Sequence, residues 1–513
     1  MPRRFQERQL ISTRTSTEIG ARFSQGGPRV VLLYPSPYRA GMSSLGYQWM
    51  LQLLQDEGYS VERAFLPDDV PAWKRSGCPL LTYETQTPIS HFPLIAISLA
   101  YELELAGLIT ALELAGIPAL REQRGPHDPA ILLGGPITFS NPLPAAPFSD
   151  AILLGEAEEI ICPAVHAFFD SSYDGWLAAV QRLPGGYVPE RSTQLPEVAK
   201  SSDQLLPARS HIISPDAELR NMFLIEGERG CHRTCTFCVM RRSTNGGMRL
   251  VTPERILSFV PEHAQRVGLV GAAISDHPKL VGLLQQIVDS GRELGVSSLR
   301  ADRVARKPDI ARLLRQGGYR TLTVASDAAS QRLRKGLSKG TFEKHLFACA
   351  EQASEHNYKL LKIYMMVGVP GEQEEDLDEL IRFAKEISTI HPVAFGVAPF
   401  VAKRNTPLDG IPFAGIKTVE RRLKYVQKGL RPTRGRAELR STSARWAWAE
   451  YMMAQGGPEM GLAVLEAVHN GGSFGDWKRA LKKVDPSTMR PWAETEAPLI
   501  EQSIPILSAH STP

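Results

Sequence analysis

Cysteine is scarce in this chain, with six residues in 513. Thiols used so sparingly belong to a reducing compartment rather than to a disulfide framework. No uninterrupted apolar run is long enough to span a bilayer. The first residues, Met-Pro-Arg-Arg-Phe-Gln-Glu-Arg, are charged and lack the apolar stretch of a secretory signal. Together these absences point to a cytoplasmic protein with no membrane partner. Charge of one sign is not in great excess either. Lys and Arg number 59 against 55 Asp and Glu, a net +4 with a pI near 8.6. A balance that mild does not by itself imply nucleic acid. There is no internal repeat. What remains is ordinary globular composition, 43% hydrophobic and 22% charged, with length for roughly two to four domains.

Three of the six cysteines are gathered in Gly-Glu-Arg-Gly-Cys-His-Arg-Thr-Cys-Thr-Phe-Cys, at Cys231, Cys235 and Cys238. The spacing is C-x3-C-x2-C. Thiolates this close on one loop can each take one corner of a cubic iron–sulfur cluster. A cluster kept for electron transfer normally has four protein thiolates. Three leave one iron with an open position for a substrate or cosubstrate. Structural zinc would want a fourth ligand, and His232 lies too close to Cys231 to complete a finger-like site comfortably. A disulfide would leave one thiol over. Cys78, Cys162 and Cys349 are scattered in apolar surroundings and are expected to be buried small hydrophobes.

Around that loop the chain alternates between strand-like and helix-like patterns. Residues 1–27 read as a polar, poorly ordered or draped arm. Apolar strands are expected at 29–34, 61–65, 94–99, 131–133 and 151–154, with helices at 43–56 and 102–115. In the first helix Leu45, Trp49, Leu51 and Leu54 should face inward. This pattern predicts a doubly wound α/β domain over 28–171. Ligands of such sheets bind beyond the carboxyl ends of the strands, where Ser98, Gly134-Gly135 and Gly155-Glu156 would lie. A Pro-rich stretch, 172–218, reads as a linker. A second series has strands at 222–225, 267–274, 297–299, 321–324, 361–366 and 394–397. Six such strands fit a partial (β/α)6 barrel over 219–415, with its chemistry at the strand carboxyl ends. Residues 416–497 read as a small, basic, helical C-terminal domain and 498–513 as a tail.

The cysteine spacing is the signature of the radical S-adenosylmethionine superfamily, which this chain resembles. Val367-Gly368-Val369-Pro370-Gly371-Glu372 resembles the run after the superfamily's fifth strand, and Pro399 to Pro407 the run after its sixth. The resemblance implies a 4Fe–4S cluster on the three cysteines and S-adenosylmethionine on the open iron. One electron would then break a carbon–sulfur bond and yield a 5′-deoxyadenosyl radical. It further implies cofactor contacts from Phe237, Ser275, Asp276, Arg300, Ser326, Asp327, Arg334, Met366, Gly368 and Phe400. Asp276 would accept from the methionine amine and Arg334 would pair with the carboxylate. Ser326, Asp327 and Ser330 would reach the ribose, though Ser and Asp are also preferred helix caps. An electron donor such as flavodoxin or ferredoxin is implied as a partner.

The N-terminal domain resembles the Rossmann-like cobalamin-binding domains that precede many radical S-adenosylmethionine barrels. Gly134-Gly135-Pro136 and Gly155-Glu156-Ala157-Glu158 carry that resemblance. It implies cobalamin near Tyr38, Ser98, Gly134, Gly135, Gly155 and Glu156, and cobalamin-dependent methylation of an unactivated carbon. There is one departure. The cobalt-ligating Asp-x-His-x-x-Gly of the methionine-synthase type is replaced by Ser36-Pro37-Tyr38-Arg39-Ala40-Gly41, so no His is available. A radical enzyme without cobalamin is the alternative, acting by rearrangement, oxidation or a carbon–carbon bond step. A non-catalytic cluster protein that binds RNA or a protein partner is a further one. A methylthiotransferase is disfavoured, since the N-terminal domain lacks a second cysteine trio. The basic stretch 417–445, followed by Trp446 and Trp448, is either a solvated helical face or a guide for an anionic partner such as RNA or a phosphorylated substrate. The substrate itself, a small molecule or a macromolecule to be modified, is not legible in the sequence.

Overall fold

The computed structural model describes residues 3–240, 247–297 and 299–484. The expected tail, the end of the expected C-terminal domain and residue 298 of the third barrel strand lie outside them. Within the described residues the chain forms two compact units, one of residues up to 225 with those from 456, the other of 226–455.

The first unit is built on a six-stranded sheet: β1 Arg29–Pro37, β2 Ser60–Leu66, β3 Leu94–Ser98, β4 Ala130–Gly134, β5 Ala151–Leu153 and β6 Gly186–Tyr187. The order is β2-β1-β3-β4-β5-β6. Neighbours run parallel except β5 and β6. Val-Val-Leu-Leu in β1 is buried throughout, as a strand covered on both faces requires. The helix Leu45–Asp56 starts where Ser44 accepts the Tyr47 N–H, and it buries Tyr47, Trp49, Leu51 and Leu54. Leu45 is only half-buried, and Tyr47 fills the expected place by donating to Leu32 O.

The N-terminal arm is helical over Arg3–Ser16 and docked. Ile11 is buried, Arg14 pairs with Asp68, and Glu18 closes on the buried Arg63 at 2.7 Å. A polar composition concealed this, because its charges are matched by partners far along the chain. The expected linker likewise packs into this unit, where the helix Tyr173–Arg182 buries Trp176, Leu177 and Val180. Helices Pro458–His469 and Phe474–Leu481 also join it. Gly461 sits so close to Pro144 O that a Cβ would be 2.0 Å from it.

In the second unit, β7 Met222–Glu226 leads into it and β8 Glu228–Gly230 pairs antiparallel with β9 Met248–Leu250. That short ladder brackets the cysteine loop. β10 Arg266–Val270 runs parallel to β11 Glu293–Val296. A five-stranded parallel sheet follows: β12 Leu299–Arg300, β13 Thr321–Asp327, β14 Leu360–Val367, β15 Val393–Pro399 and β16 Ala437–Ser441. The six expected strands are all present within a few residues. β8, β9, β11 and β16 were not expected; β16 is the one that alters the reading of the C-terminal region. It lies in the basic stretch read as helical and extends the sheet beside β15. The fold is α/β with parallel sheets and a helical C-terminal region.

Candidate functional site

The cysteine loop starts from a left-handed turn at Gly230, φ +85°. Arg229 holds its base, with Nε and Nη2 donating to Glu226 at 2.7 and 2.9 Å. Farther along, the Thr236 N–H donates to Leu337 O at 3.1 Å and the Cys238 N–H to Cys235 O at 3.3 Å. Cys231, Cys235 and Cys238 are free thiols, half-buried on one loop. Burial pushes the Cys231 and Cys238 thiols up; one backbone N–H opposes this at each, and the neighbouring thiols add to it. Crowded thiols of this kind deprotonate when a cationic centre takes them. Among the described residues no three His, Cys, Asp or Glu side chains converge on a single metal ion. A cubane needs no such convergence, because each thiolate takes a different iron. Cys78 and Cys349 are buried, and Cys162 is half-buried.

Several expected contact residues gather at the strand carboxyl ends. The buried Ser275 Oγ accepts the Arg300 N–H at 3.2 Å, while the Arg300 side chain donates to Asp302 at 3.0 Å and to Lys339 O at 3.1 Å. Asp276 is clamped by Arg233, at 2.7 and 2.8 Å, and by Arg303. Burial would raise its carboxyl, but the guanidiniums outweigh it and hold it at about 2. Asp327 sits at φ +66° and pairs with Lys339. Ser326 accepts from Arg334 at 3.2 Å.

Arg334 is 2% exposed, and among the described residues its guanidinium donates to Ser326, Gln331 and two backbone carbonyls. No carboxylate among the described residues lies within ion-pair distance, and its Nε has no partner. A buried cation without an anion is costly, so this position suits a carboxylate ligand. Other buried orphan atoms lie in the same unit: Glu228 Oε2, Thr236 Oγ1 and Thr341 Oγ1.

At the end of β14, the Gly368 N–H donates to the Glu372 carboxylate at 3.0 and 3.1 Å. Arg422 clasps the same carboxylate at 3.1 Å. Burial nevertheless raises Glu372 to about 7. Met366 and Phe237 are half-buried. Phe400 is buried, with its N–H on Val367 O. Ser330 is a helix cap, accepting from Leu333 N and donating to Asp376 at 2.5 Å.

Glu228, Arg233, Arg303, Lys339 and Arg422 were not expected at this site. Only Arg233 and Glu228, beside the cysteines, carried a positional signal. The basic stretch is partly consumed internally. Besides Arg422, Arg436 donates to Ser388 O at 2.7 Å, and Arg440 and Arg445 pair with Glu438 and Glu420 at 2.7 and 3.6 Å.

In the first unit, the strand order places a switch point between β1 and β3. Tyr38 has no exposed surface to offer a ligand there. The ring is fully buried against Tyr83, and the hydroxyl donates to Glu18 at 2.6 Å and bonds Ser214 at 2.8 Å. Arg39 is exposed, 3.8 Å from Glu218. Gly135 and Gly155 have φ +103° and +101°, and Cβ atoms there would lie 2.6 Å from Leu99 O and 2.5 Å from Ala199 N. The chain's own backbone requires both glycines. Glu156 is buried and accepts the Ser201 N–H at 2.9 Å. Ser98 and Gly134 pair across β3 and β4, and the nearest atom to a Cβ on Gly134 would be 3.7 Å away. Of the six expected positions, these two are half-buried and are not held by a close contact of the fold's own backbone.

A three-thiol loop ahead of a parallel βα series with unpaired polar groups at its strand ends is the arrangement of one enzyme class, and comparison bears this out. Residues 225–384 match the radical SAM superfamily and 46–189 match the N-terminal domain of radical SAM proteins. The chain is a radical S-adenosylmethionine enzyme carrying both domains. An uncharacterised protein of Methanocaldococcus jannaschii is 26% identical over 420 residues, 78% of this chain and 83% of that protein. The threonylcarbamoyladenosine tRNA methylthiotransferase MtaB of Chlamydia pneumoniae is 23% identical over 207 residues, 37% of this chain and 47% of MtaB. Among solved structures, the radical S-adenosylmethionine methyltransferase TsrM from Kitasatospora setae, with tryptophan and a S-adenosylmethionine analogue bound, superposes with a TM-score of 0.51 at 14% identity, covering 72% of this chain and 73% of TsrM. TsrM with cobalamin and a 4Fe–4S cluster bound gives the same score, covering 77% and 75%. No helix among the described residues is long and apolar enough to cross a membrane.

Proposed function

We propose that this chain cleaves S-adenosylmethionine reductively and uses the radical in a cobalamin-dependent methylation of an unactivated carbon. The observation that carries the cleavage step is the presence, in one unit, of three free thiols on one loop and of Arg334, a buried guanidinium with no carboxylate in ion-pair contact among the described residues. A 4Fe–4S cluster on Cys231, Cys235 and Cys238 supplies, when bound, the electron that breaks the carbon–sulfur bond to give a 5′-deoxyadenosyl radical. The chain's own residues do the positioning. Arg334 receives the methionine carboxylate. Ser275 accepts the Arg300 N–H, and Ser326 accepts from Arg334 itself. The Gly368 turn, locked by Glu372 and Arg422, brings the backbone close to the adenosyl group. A flavodoxin- or ferredoxin-type donor fits the need for single electrons.

Cobalamin is supported by the β2-β1-β3-β4-β5 order and by the likeness to TsrM, and it would supply a methyl carrier. Ser98 and Gly134 are the expected positions that the fold leaves uncommitted, and cobalt would take no ligand from the buried, hydrogen-bonded Tyr38. A radical enzyme without cobalamin is the second reading. It is favoured by the way Tyr38, Gly135, Gly155 and Glu156 are already used by the fold.

The test is anaerobic reconstitution followed by dithionite and S-adenosylmethionine. The wild type releases 5′-deoxyadenosine and Cys235→Ala releases none. Release equal in both, or absent from both under several reductants, contradicts the cleavage reading. Corrinoid absorbance after growth with cobalamin separates the two radical readings.

A further inference from the structure

Strand β14 carries two polar side chains that the site above does not use. Along Leu360–Val367, Leu361, Ile363, Met365 and Val367 are buried, whereas Lys362 and Met366 are half-buried and Tyr364 is 40% exposed. Ile363 pairs with Phe395, whose ring packs on Phe383 of the helix Glu374–Ile390. That is the helix-covered side. Lys362, Tyr364 and Met366 therefore stand on the opposite face, the inner face of a βα barrel.

Lys362 Nζ donates to Tyr364 Oη at 3.0 Å and lies 4.6 Å from the ring centroid. Among the described residues no carboxylate reaches Lys362, and neither polar group has a second protein partner. The phenol oxygen accepts from the ammonium, so its own proton is left to donate. Two ammonium N–H bonds are left as well. The neighbours in register are small. Ala325 and Gly396 flank Tyr364, and a Cβ on Gly396 would lie 2.9 Å from the Tyr364 ring. The ring thus rests against β15 through the missing side chain. Met366, an expected cofactor contact, is two residues further on the same face, about 7 Å toward the strand's carboxyl end.

We propose that Lys362 and Tyr364 form an anion subsite for the substrate. Their free donors converge on one oxyanion, a carboxylate or a phosphate, and the rest of the substrate extends toward Met366. The substrate is therefore an anionic molecule held by one end, which rests on the function proposed above. Charge-assisted donors of this kind carry about twice the strength of neutral ones.

Calorimetric titration of the reconstituted full-length protein with orthophosphate and with benzoate tests this and separates the two anion types. One of them binds the wild type. Lys362→Met and Tyr364→Phe each weaken it by about ten-fold, as loss of a charge-assisted donor does, and Lys362→Arg recovers most of the loss. Circular dichroism checks that the variants fold. If Lys362→Met does not fold, Tyr364→Phe and Lys362→Arg decide. Binding of neither anion, or equal affinity in wild type and variants, overturns the subsite. If Lys362-dependent binding holds while the wild type releases no 5′-deoxyadenosine, the proposed function fails and the subsite stands.

Discussion

Arg334 is the residue whose environment says most. A guanidinium buried to 2% exposure, with no carboxylate in ion-pair contact among the described residues and only the charges of Glu379 and Glu343 to offset its burial, is costly to hold. Arg334→Met should weaken S-adenosylmethionine binding to the reconstituted protein by about ten-fold or more. Arg334→Lys should restore only part of that, since an ammonium lacks the bidentate fork. Equilibrium dialysis decides it, and unchanged affinity in Arg334→Met contradicts the role. Asp276 teaches the converse. Its position at a strand end was legible, but its partners Arg233 and Arg303 stand 43 and 27 residues away. A sequence shows residue types and local spacing, whereas the competition for a carboxylate is settled by side chains brought in from elsewhere.

Glu372 provides a pH test at the same scale. Its carboxyl is raised from 4.5 to about 7, by burial first and against the pull of the Gly368 N–H and Arg422. A raised folded-state value means that the protonated form favours the fold. Its contribution is full below about 4.5 and is lost as pH rises through about 7. Denaturant titrations between pH 5 and pH 8 should therefore show a steeper fall in stability for wild type than for Glu372→Gln. Equal slopes would contradict the assignment.

At the level of elements, close backbone approach decides more than side-chain chemistry. Gly135 combines φ +103° with a Cβ position 2.6 Å from Leu99 O. Gly135→Ala should destabilise the first unit by roughly 2–4 kcal/mol, from backbone strain and forced displacement, as read by thermal melting of the apoprotein. A neutral substitution would mean that the turn after β4 relaxes freely. The Gly-Gly-Pro run was legible as a special turn, but what it approaches was not. β16 shows the same limit. Ala437–Ser441 is a short edge strand rich in charge, with one buried residue. It has no apolar run to announce it, and only its register with β15 makes it a strand. The N-terminal arm was concealed in a similar way, since its charges are paired in the fold. Glu18 and Glu84 neutralise Arg63 at 2.7 and 2.6 Å. Glu18→Ala leaves Arg63 under-compensated and should cost about 3–5 kcal/mol, visible as a lowered melting temperature. The continuous apolar runs of β1 and β3 and the alternating β13 needed no such context and were readable directly.

On the scale of the whole molecule, the chain places a β2-β1-β3-β4-β5 sheet and a parallel βα series in one polypeptide, with residues from 456 returning to the first unit. Neither the return nor the docking of 172–218 leaves a compositional trace, because both rest on a few apolar contacts such as Trp176 and Trp477. The cysteine motif, in contrast, is compact and chemically specific, so the class of reaction was legible before any fold was. The central claim is that Cys231, Cys235 and Cys238 hold a cluster whose remaining iron is open to S-adenosylmethionine. Electron paramagnetic resonance of the dithionite-reduced, reconstituted protein tests it most directly. The account predicts a reduced 4Fe–4S signal whose g-values shift when S-adenosylmethionine is added, with the cluster lost in Cys235→Ala. A signal that S-adenosylmethionine leaves unchanged, or a cluster that survives in Cys235→Ala, would contradict it.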